Sequence, residues 1–127
     1  MNPRSEFWQA VERIRACDAR FATDAYAFVM EALDFTVRSL EERRHVSAAE
    51  LVDGLRRAAR ERYGMLAFAV LQKWGLTCGS DVGEVVFQLI DAGILSRRDE
   101  DSREEFDAIG GFQADLEDGY FEAGDGA

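Results

Sequence analysis

Apolar residues recur at three- and four-residue steps along most of this 127-residue chain, the spacing of one face of an α-helix. The pattern predicts about five helices. The first carries the series Phe7, Val11, Ile14 and Cys17, with Trp8 beside it. The other four helices cover about residues 23–42, 47–63, 65–74 and 81–93. The helix over residues 23–42 is apolar on more than one side.

Polar and glycine residues at the ends of these segments predict where the helices begin and end. Ser47 followed by Glu50 forms a capping box, and Asp81 with Glu84 has the same spacing. Thr23 or Asp24 is expected to cap the second helix. Gly64 and Gly75 follow the last apolar turns of the third and fourth helices, where a chain commonly turns left-handed. Gly83 is expected to permit close packing against the preceding helix.

Residues 74–95 read as the end of one helix, a tight turn, a second helix closed by Gly93, and an extended Ile94–Leu95. A helix-turn-helix that leads into a strand is typical of a winged-helix domain. Residues 96–106 form either a short β-hairpin, which would be the wing, or an exposed helix, because Glu and Arg are good helix formers. We favour the hairpin. The predicted fold is mainly α, with a winged-helix-like C-terminal half.

The chain is expected to form one helical domain over residues 1–112, followed by an acidic, partly disordered tail over residues 113–127. Aromatic residues alternate with acids and glycines near this boundary. Either Phe106, Ile109 and Phe112 cover the core of the domain, which we favour slightly, or they belong to a segment that folds on a partner.

The acidity of the chain is concentrated at its C-terminal end. The net charge is −10, yet residues 1–95 hold twelve basic and fourteen acidic side chains, whereas residues 96–127 hold three and eleven. Such a distribution disfavours general attraction to nucleic-acid phosphates and favours basic partners. No apolar run approaches the length of a membrane span, and residues 1–15 lack the apolar centre of a secretory signal. A cytoplasmic protein without membrane contact is therefore expected.

Few residues in the chain suggest catalysis or metal binding. His45 is the single histidine, and its position between arginines and a capping serine is typical of a linker residue. Cys17 and Cys78 lack metal-ligand spacing, and we expect them to be small core residues. The acids around residues 99–110 do not have the spacing of an EF-hand loop. We therefore expect no enzyme activity, no metal and no cofactor.

Two groups of side chains could form a partner surface. The second helix of the predicted helix-turn-helix carries Glu84, Gln88 and Asp91, and the predicted wing carries Arg97, Arg98 and Arg103. Acids on this helix would be repelled by DNA phosphates, so a protein partner fits better than nucleic acid. A basic face on the third helix contains Arg56 and Arg60, which either pair with nearby acids or bind an acidic partner.

Several stretches of the chain also resemble a known family. The segments on which the resemblance rests are His45-Val46-Ser47, Trp74-Gly75-Leu76, Gly83-Glu84, Gly93-Ile94-Leu95, and Asp101-Ser102-Arg103 followed by Phe106. They resemble the Verruco-Plancto-restricted family of bacterial conserved hypothetical proteins, from about residue 21 to residue 112. The tail departs from the family pattern, and Gly111-Phe112 is its nearest match. The resemblance implies a single cytoplasmic bacterial domain and brings no activity, cofactor or catalytic residues.

The sequence thus predicts a non-catalytic protein-interaction or regulatory module with a winged-helix-like fold. The alternative is a DNA- or RNA-binding transcriptional regulator that uses the arginine-bearing third helix and the wing.

Overall fold

The computed structural model describes residues 3–42, 44, 46–96, 103–114 and 116. This part of the chain is mainly helical, and the five predicted helices are all present. Their bounds, with a short sixth helix, are α1 Pro3–Cys17, α2 Thr23–Ser39, α3 Ala48–Tyr63, α4 Ala67–Trp74, α5 Gly79–Asp91 and α6 Arg103–Asp107. A 3-10 turn over Gly64–Leu66 connects α3 to α4. The described residues contain no strand, and one isolated antiparallel bridge joins Cys78 to Gly111.

One hydrophobic core lies between α2, α3, α4 and α5. The helices α2 and α3 approach closely at Gly54, where a Cβ atom would overlap Oγ1 of Thr36. Phe28, Tyr63 and Trp74 join α2, α3 and α4, with ring centroids 5.5 to 6.2 Å apart. The largest fully buried side chains are Tyr26, Phe21, Phe112, Leu55, Leu71, Leu76, Leu89 and Leu116.

Several predicted helix ends are confirmed. Gly75 and Gly93 both have positive φ, and the residue after each donates its N–H to a carbonyl five positions back, Leu76 to Leu71 and Ile94 to Leu89, at 2.9 Å. This is the glycine-terminated C-cap of an α-helix. Ser47 and Glu50 form the predicted capping box at the start of α3. Gly64 is the C-cap of α3, again with positive φ.

Two predicted caps are wrong. Ala22 occupies the cap position of α2, so Thr23 and Asp24 are already helical, and the helix ends at Ser39 rather than near residue 42. α5 begins two residues earlier than Asp81. Asp81 instead accepts hydrogen bonds from the backbone N–H (2.9 Å) and the hydroxyl (2.7 Å) of Thr77. The carboxylate of Asp81 thus accepts from the residue that precedes the N-cap of α5, outside the helix.

The predicted strand and hairpin are not supported. After Gly93 the N–H groups of Ile94 and Leu95 both point back to the carbonyl of Leu89, so the chain turns rather than extends. Arg103–Asp107 is α-helical, although a hairpin would have needed an extended chain here. Residues 97–102 lie outside the described residues. The helix is favoured because Glu104 and Glu105 are good helix formers and because Phe106 packs into α5.

Residues 103–114 and 116 form a C-terminal strap that crosses α5. The N–H of Phe112 donates to the carbonyl of Thr77 at 2.9 Å, and the hydroxyl of Ser80 donates to Asp107 at 2.7 Å. A Cβ on Gly83 would lie 2.7 Å from Cβ of Phe106. Gly83 therefore permits close packing of the following helix α6, and not of the preceding helix as predicted.

The strap completes the hydrophobic core. Phe106 and Phe112 are buried and Ile109 is half-buried, which confirms that these residues cover the domain. Leu116 is also fully buried in the same cluster. The division into residues 1–112 and a tail over residues 113–127 stays a prediction, and residues 117–127 lie outside the described part of the chain.

Candidate partner-binding surface

Glu84, the first member of the predicted helix surface, is held in a small ion-pair cluster. Its carboxylate contacts Nη1 of Arg103 at 2.6 Å and Nη2 of Arg20 at 3.7 Å. Arg103 also lies over the ring of Phe87, with its Cζ atom 4.7 Å from the ring centroid. Glu84 and Arg103, two members of the predicted partner surface, are therefore in contact, and their charges are directed at each other between α5 and α6.

Gln88 is an interior contact of the fold. Its Oε1 atom accepts a 2.6 Å hydrogen bond from the hydroxyl of Tyr26, and its Nε2 atom donates to Oδ2 of Asp18 at 3.0 Å. Burial, together with the negative charge of Asp18, raises the pKa of Tyr26 to about 12. The amide of Gln88 is therefore occupied within the molecule.

Of the remaining predicted residues of this surface, the structure describes Asp91. Asp91 is exposed at the end of α5. Arg97, Arg98 and His45 lie outside the described residues. The structure thus assembles Glu84 with Arg103 and uses Gln88 internally, so the proposed acidic helix-wing face is not one continuous free surface within the described ranges.

The arginines of α3 are largely engaged by neighbouring groups. Arg57 pairs with Asp53 at 3.0 Å and Arg62 with Glu31 at 2.6 Å. Arg56 lies over the ring of Phe112 in the C-terminal strap, with its Cζ atom 5.8 Å from the centroid. Arg56 and Arg60 are both half-buried. The predicted basic face is therefore a half-covered side of α3.

Both cysteines are free thiols. Cys17 is exposed, so the prediction that it is a small core residue is wrong, whereas Cys78 is half-buried at the start of α5. Within the described ranges, no group of three or more His, Cys, Asp or Glu residues could hold a metal ion.

A surface that the sequence did not reveal lies between α1, α2 and the turn after α5. We call it the apolar band. Its residues are half-exposed apolar side chains that line two neighbouring depressions, Phe7, Trp8, Met30, Leu33, Val37, Ile90, Ile94 and Leu95.

The two depressions of the apolar band meet at neighbouring residues. One has a volume of about 550 Å³ and contains Trp8, Met30 and Ile94. The other has a volume of about 240 Å³ and contains Leu33 and Leu95. Met30 and Leu33 are one turn apart on α2, and Ile94 and Leu95 are consecutive in the chain. The depressions are therefore neighbours along α2, although none of the described residues lines both.

Trp8 is the most exposed large side chain of the apolar band. It is 36% exposed and rests edge-on against Phe7, with ring centroids 4.9 Å apart. Met65 and Leu66, on the 3-10 turn, are exposed as well, but they line neither depression. An apolar surface of several side chains, lined by acids, is typical of an interaction site.

The charged groups of the apolar band are mostly neutralised or acidic. Arg44 lines one depression, but both its terminal nitrogens contact the carboxylate of Glu50, at 2.9 and 2.7 Å. The hydrogen bonds from Arg44 and from the backbone of Ser47 lower the pKa of Glu50 to about 2. Glu6 and Glu31 line the other depression, and Glu31 is paired with Arg62.

Sequence reasoning missed the apolar band because half-exposed and buried side chains follow the same spacing. Leu33 and Val37 belong to the same stripe of α2 as the buried Val29. The signal in the sequence was Trp8. It lies beside the apolar stripe of α1 that starts at Phe7, and that stripe is complete without Trp8.

Comparison with known proteins adds no assignment. No protein-family model, no curated protein and no solved structure matches this chain. The resemblance to the Verruco-Plancto-restricted family therefore stays a prediction. None of the helices in the described ranges combines the length and the apolar character needed to cross a bilayer.

Proposed function

We propose that this protein is a non-catalytic interaction module that binds another protein through the apolar band. The observation that carries the proposal is the exposed Trp8, which lines one of two neighbouring depressions with apolar side chains. Buried aromatic anchors contribute a large share of the binding energy at protein interfaces, and tryptophan is enriched among them. An apolar surface of this kind gains free energy when a partner removes it from water.

This proposal moves the binding surface away from the acidic helix face. Glu84 and Gln88 already have partners within the fold, so a ligand would have to break those contacts to use them. The side chains of the apolar band face solvent without a polar partner to lose. The free-energy cost of binding is therefore lower at the apolar band than at α5.

Site-specific photo-crosslinking in the host cell tests the proposal. A photoreactive phenylalanine analogue replaces Trp8 in one variant and Arg57, on the exposed side of α3, in the control. We expect a discrete protein adduct from position 8 and none of the same mass from position 57. If position 8 gives no protein adduct, or both positions give the same adducts, the apolar band is not the binding surface.

Binding to DNA or RNA is the second candidate function, and the structure gives it less support. The α3 arginines Arg57 and Arg62 are paired with carboxylates, and Arg103 is paired with Glu84. A nucleic acid would have to replace these pairs while approaching a protein of net charge −10. A salt-dependent mobility shift with random duplex would favour this function over the first, and its absence at low salt would exclude it.

A further inference from the structure

A separate depression lies where α2, α3 and α4 meet, and we call it the aromatic corner. It is lined by three rings and three charged side chains, Phe28, Tyr63, Trp74, Asp24, Glu31 and Arg62. Its volume is about 220 Å³. Pockets for drug-sized ligands measure about 300 to 1,000 Å³, so the aromatic corner suits a smaller chemical group.

The rings of the aromatic corner lie in three different planes. Tyr63 and Trp74 are nearly perpendicular, at 81°, with centroids 6.0 Å apart. Phe28 is tilted by 54° to Trp74 and by 44° to Tyr63. Phe28 is buried, whereas the other two rings are half-buried. Rings that meet at such angles can contact a compact group from several directions, as the walls of an aromatic cage do.

The aromatic corner already holds one cation of this chain. The Cζ atom of Arg62 lies 5.6 Å from the centroid of the Phe28 ring, within the range of a cation–π contact. Its Nη1 atom contacts Oε2 of Glu31 at 2.6 Å. Hydrogen bonds to Glu31 and to Tyr63 raise the pKa of Arg62. Arg62 is thus a tethered occupant of the Phe28 wall, and it neutralises Glu31.

The charged side chains of the aromatic corner leave one negative charge in excess. Asp24, Phe28 and Glu31 are four and three residues apart on α2, so all three lie on the same face of that helix. Glu31 is paired with Arg62. Asp24 is exposed, and within the described part of the chain it forms no ion pair. A ligand would therefore meet aromatic rings beside an uncompensated carboxylate.

These surroundings favour a cation that carries no N–H groups. A primary ammonium or a guanidinium needs several hydrogen-bond acceptors when it leaves water, whereas rings offer none of ordinary strength. A quaternary ammonium keeps its charge and presents methyl groups that pack on aromatic faces. We propose that the aromatic corner binds a quaternary ammonium group, with Tyr63 and Trp74 as walls and Asp24 as the counter-charge.

The proposed site is independent of the apolar band, because it uses neither Trp8 nor a protein interface there. The quaternary ammonium group could belong to a free small molecule such as choline or to a trimethylated lysine of another protein. Both sources present the same trimethylammonium chemistry to the rings, and the experiment distinguishes them.

Titration by NMR tests the site directly. The chain has two tryptophans, so it gives two indole N–H signals, and Trp8→Phe assigns them. One ligand is choline, and its matched control is the neutral alcohol in which a tert-butyl group replaces the trimethylammonium group. We expect choline to shift the signal of Trp74 saturably and to bind at least about threefold more tightly than the alcohol. The signal of Trp8 should stay in place.

Two charge variants should change the affinity for choline in opposite directions. Asp24→Asn removes the counter-charge and should weaken binding by about two- to fivefold. Arg62→Gln frees Glu31 and the face of Phe28, so it should strengthen binding by about two- to fivefold. Asp53→Asn and Arg57→Gln make the same charge changes on α3 away from the aromatic corner. Each of these controls should leave the affinity within about twofold of the original.

A peptide with one trimethylated lysine identifies the source of the ligand. Tighter binding than choline would assign the site to the side chain of a protein, and equal or weaker binding would assign it to a free small molecule. No saturable shift of Trp74 with either ligand would overturn the proposal. An equal affinity for the neutral alcohol, equal losses in Asp24→Asn and Asp53→Asn, or weaker binding in Arg62→Gln would do the same.

Discussion

The hydroxyl of Tyr26 donates a 2.6 Å hydrogen bond to Oε1 of Gln88, a residue 62 positions later in the chain. The other end of the same amide donates to Asp18 at 3.0 Å. Gln88 thereby connects α5 to α2 and to the segment between α1 and α2. Because Tyr26 is fully buried, its hydroxyl depends on Gln88 for hydrogen bonding.

Replacement of Gln88 by Leu should cost more stability than replacement of Tyr26 by Phe. Gln88→Leu leaves a buried hydroxyl without its acceptor, at a cost of about 1 to 3 kcal/mol. Tyr26→Phe removes the buried group itself, at a cost of about 0.5 to 1.5 kcal/mol. Urea denaturation of both single variants and of the double variant measures the coupling. Strictly additive losses would show that the two groups do not interact, and Gln72→Leu, at an exposed position of α4, is the control.

The stability of the protein should also depend on the ionisation of Tyr26. Its pKa is raised to about 12, first by burial and then by the charge of Asp18. The unfolded phenol loses its proton near pH 10, while the folded one keeps it until about pH 12. The contribution of Tyr26 is therefore complete below pH 10 and declines from pH 10 to pH 12. Chemical denaturation across this window should show a smaller decline for Tyr26→Phe, and parallel curves would refute the assignment.

The carboxyl group of Glu50 should have a pKa far below that of an ordinary glutamate. Its pKa is lowered to about 2, mainly by the hydrogen bonds from Arg44 and also by that from the Ser47 backbone. Its contribution to stability is present above its unfolded pKa of about 4.5 and is lost as the pH falls towards 2. Carboxyl-carbon NMR titration measures this pKa directly. Arg44→Gln should raise it, whereas Arg57→Gln, whose partner is Asp53, should not. An unchanged value in Arg44→Gln would contradict the role of that arginine.

Gly54→Ala should destabilise the protein although alanine is the better helix former. The new Cβ would overlap Oγ1 of the buried Thr36, and forcing extra atoms into a packed site costs about 1 to 3 kcal/mol. Because the overlap with Thr36 is severe, we expect a cost in the upper part of this range, above the gain of about 1 kcal/mol in helix propensity. The penalty should shrink when Thr36→Ala is already present, as thermal or urea unfolding can measure. Gly110→Ala is the control, because a Cβ there would meet no neighbour within 4 Å. A neutral Gly54→Ala would show that α2 and α3 separate easily.

The stability of the C-terminal strap should depend more on the buried ring of Phe106 than on the ion pair between Arg103 and Glu84. Phe106→Ala removes a buried side chain packed against Gly83 and is expected to cost about 3 to 5 kcal/mol. Arg103→Gln breaks a pair whose arginine is 52% exposed, so its cost should stay below about 1 kcal/mol. Urea denaturation gives both values, and amide exchange should accelerate over residues 103–114 in Phe106→Ala. Comparable losses in the two variants would refute this ranking.

Helix positions were predictable from the sequence wherever the signal was local. The glycine stop at Gly75 and the capping box at Ser47 involve residues within one helical turn, and both are present. The start of α5 was misplaced because the acceptor role of Asp81 is fulfilled outside the helix, at Thr77. Local rules therefore succeed when the hydrogen-bond partner is part of the motif.

The predicted hairpin is not supported, and the apolar band was not predicted, because both depend on contacts between residues far apart in the sequence. Phe106 is helical partly because Gly83, more than twenty positions earlier, leaves space for its ring. The interior role of Gln88 depends on Tyr26, which no spacing rule connects to it. Leu33 has the same periodic position as a core residue, and only the tertiary arrangement around it leaves it half-exposed in a depression with Ile90 and Leu95.

The burial of Phe112 and Leu116 has a consequence for how this protein is made. A ribosome delivers the chain from its N-terminal end, so α2, α3 and α5 emerge before the residues that close their shared core. Until Leu116 has left the ribosome, the nascent helices expose the apolar surfaces that the strap later covers. The core can therefore close only after residue 116 has left the ribosome, and until then the exposed apolar surfaces are the kind that chaperones bind.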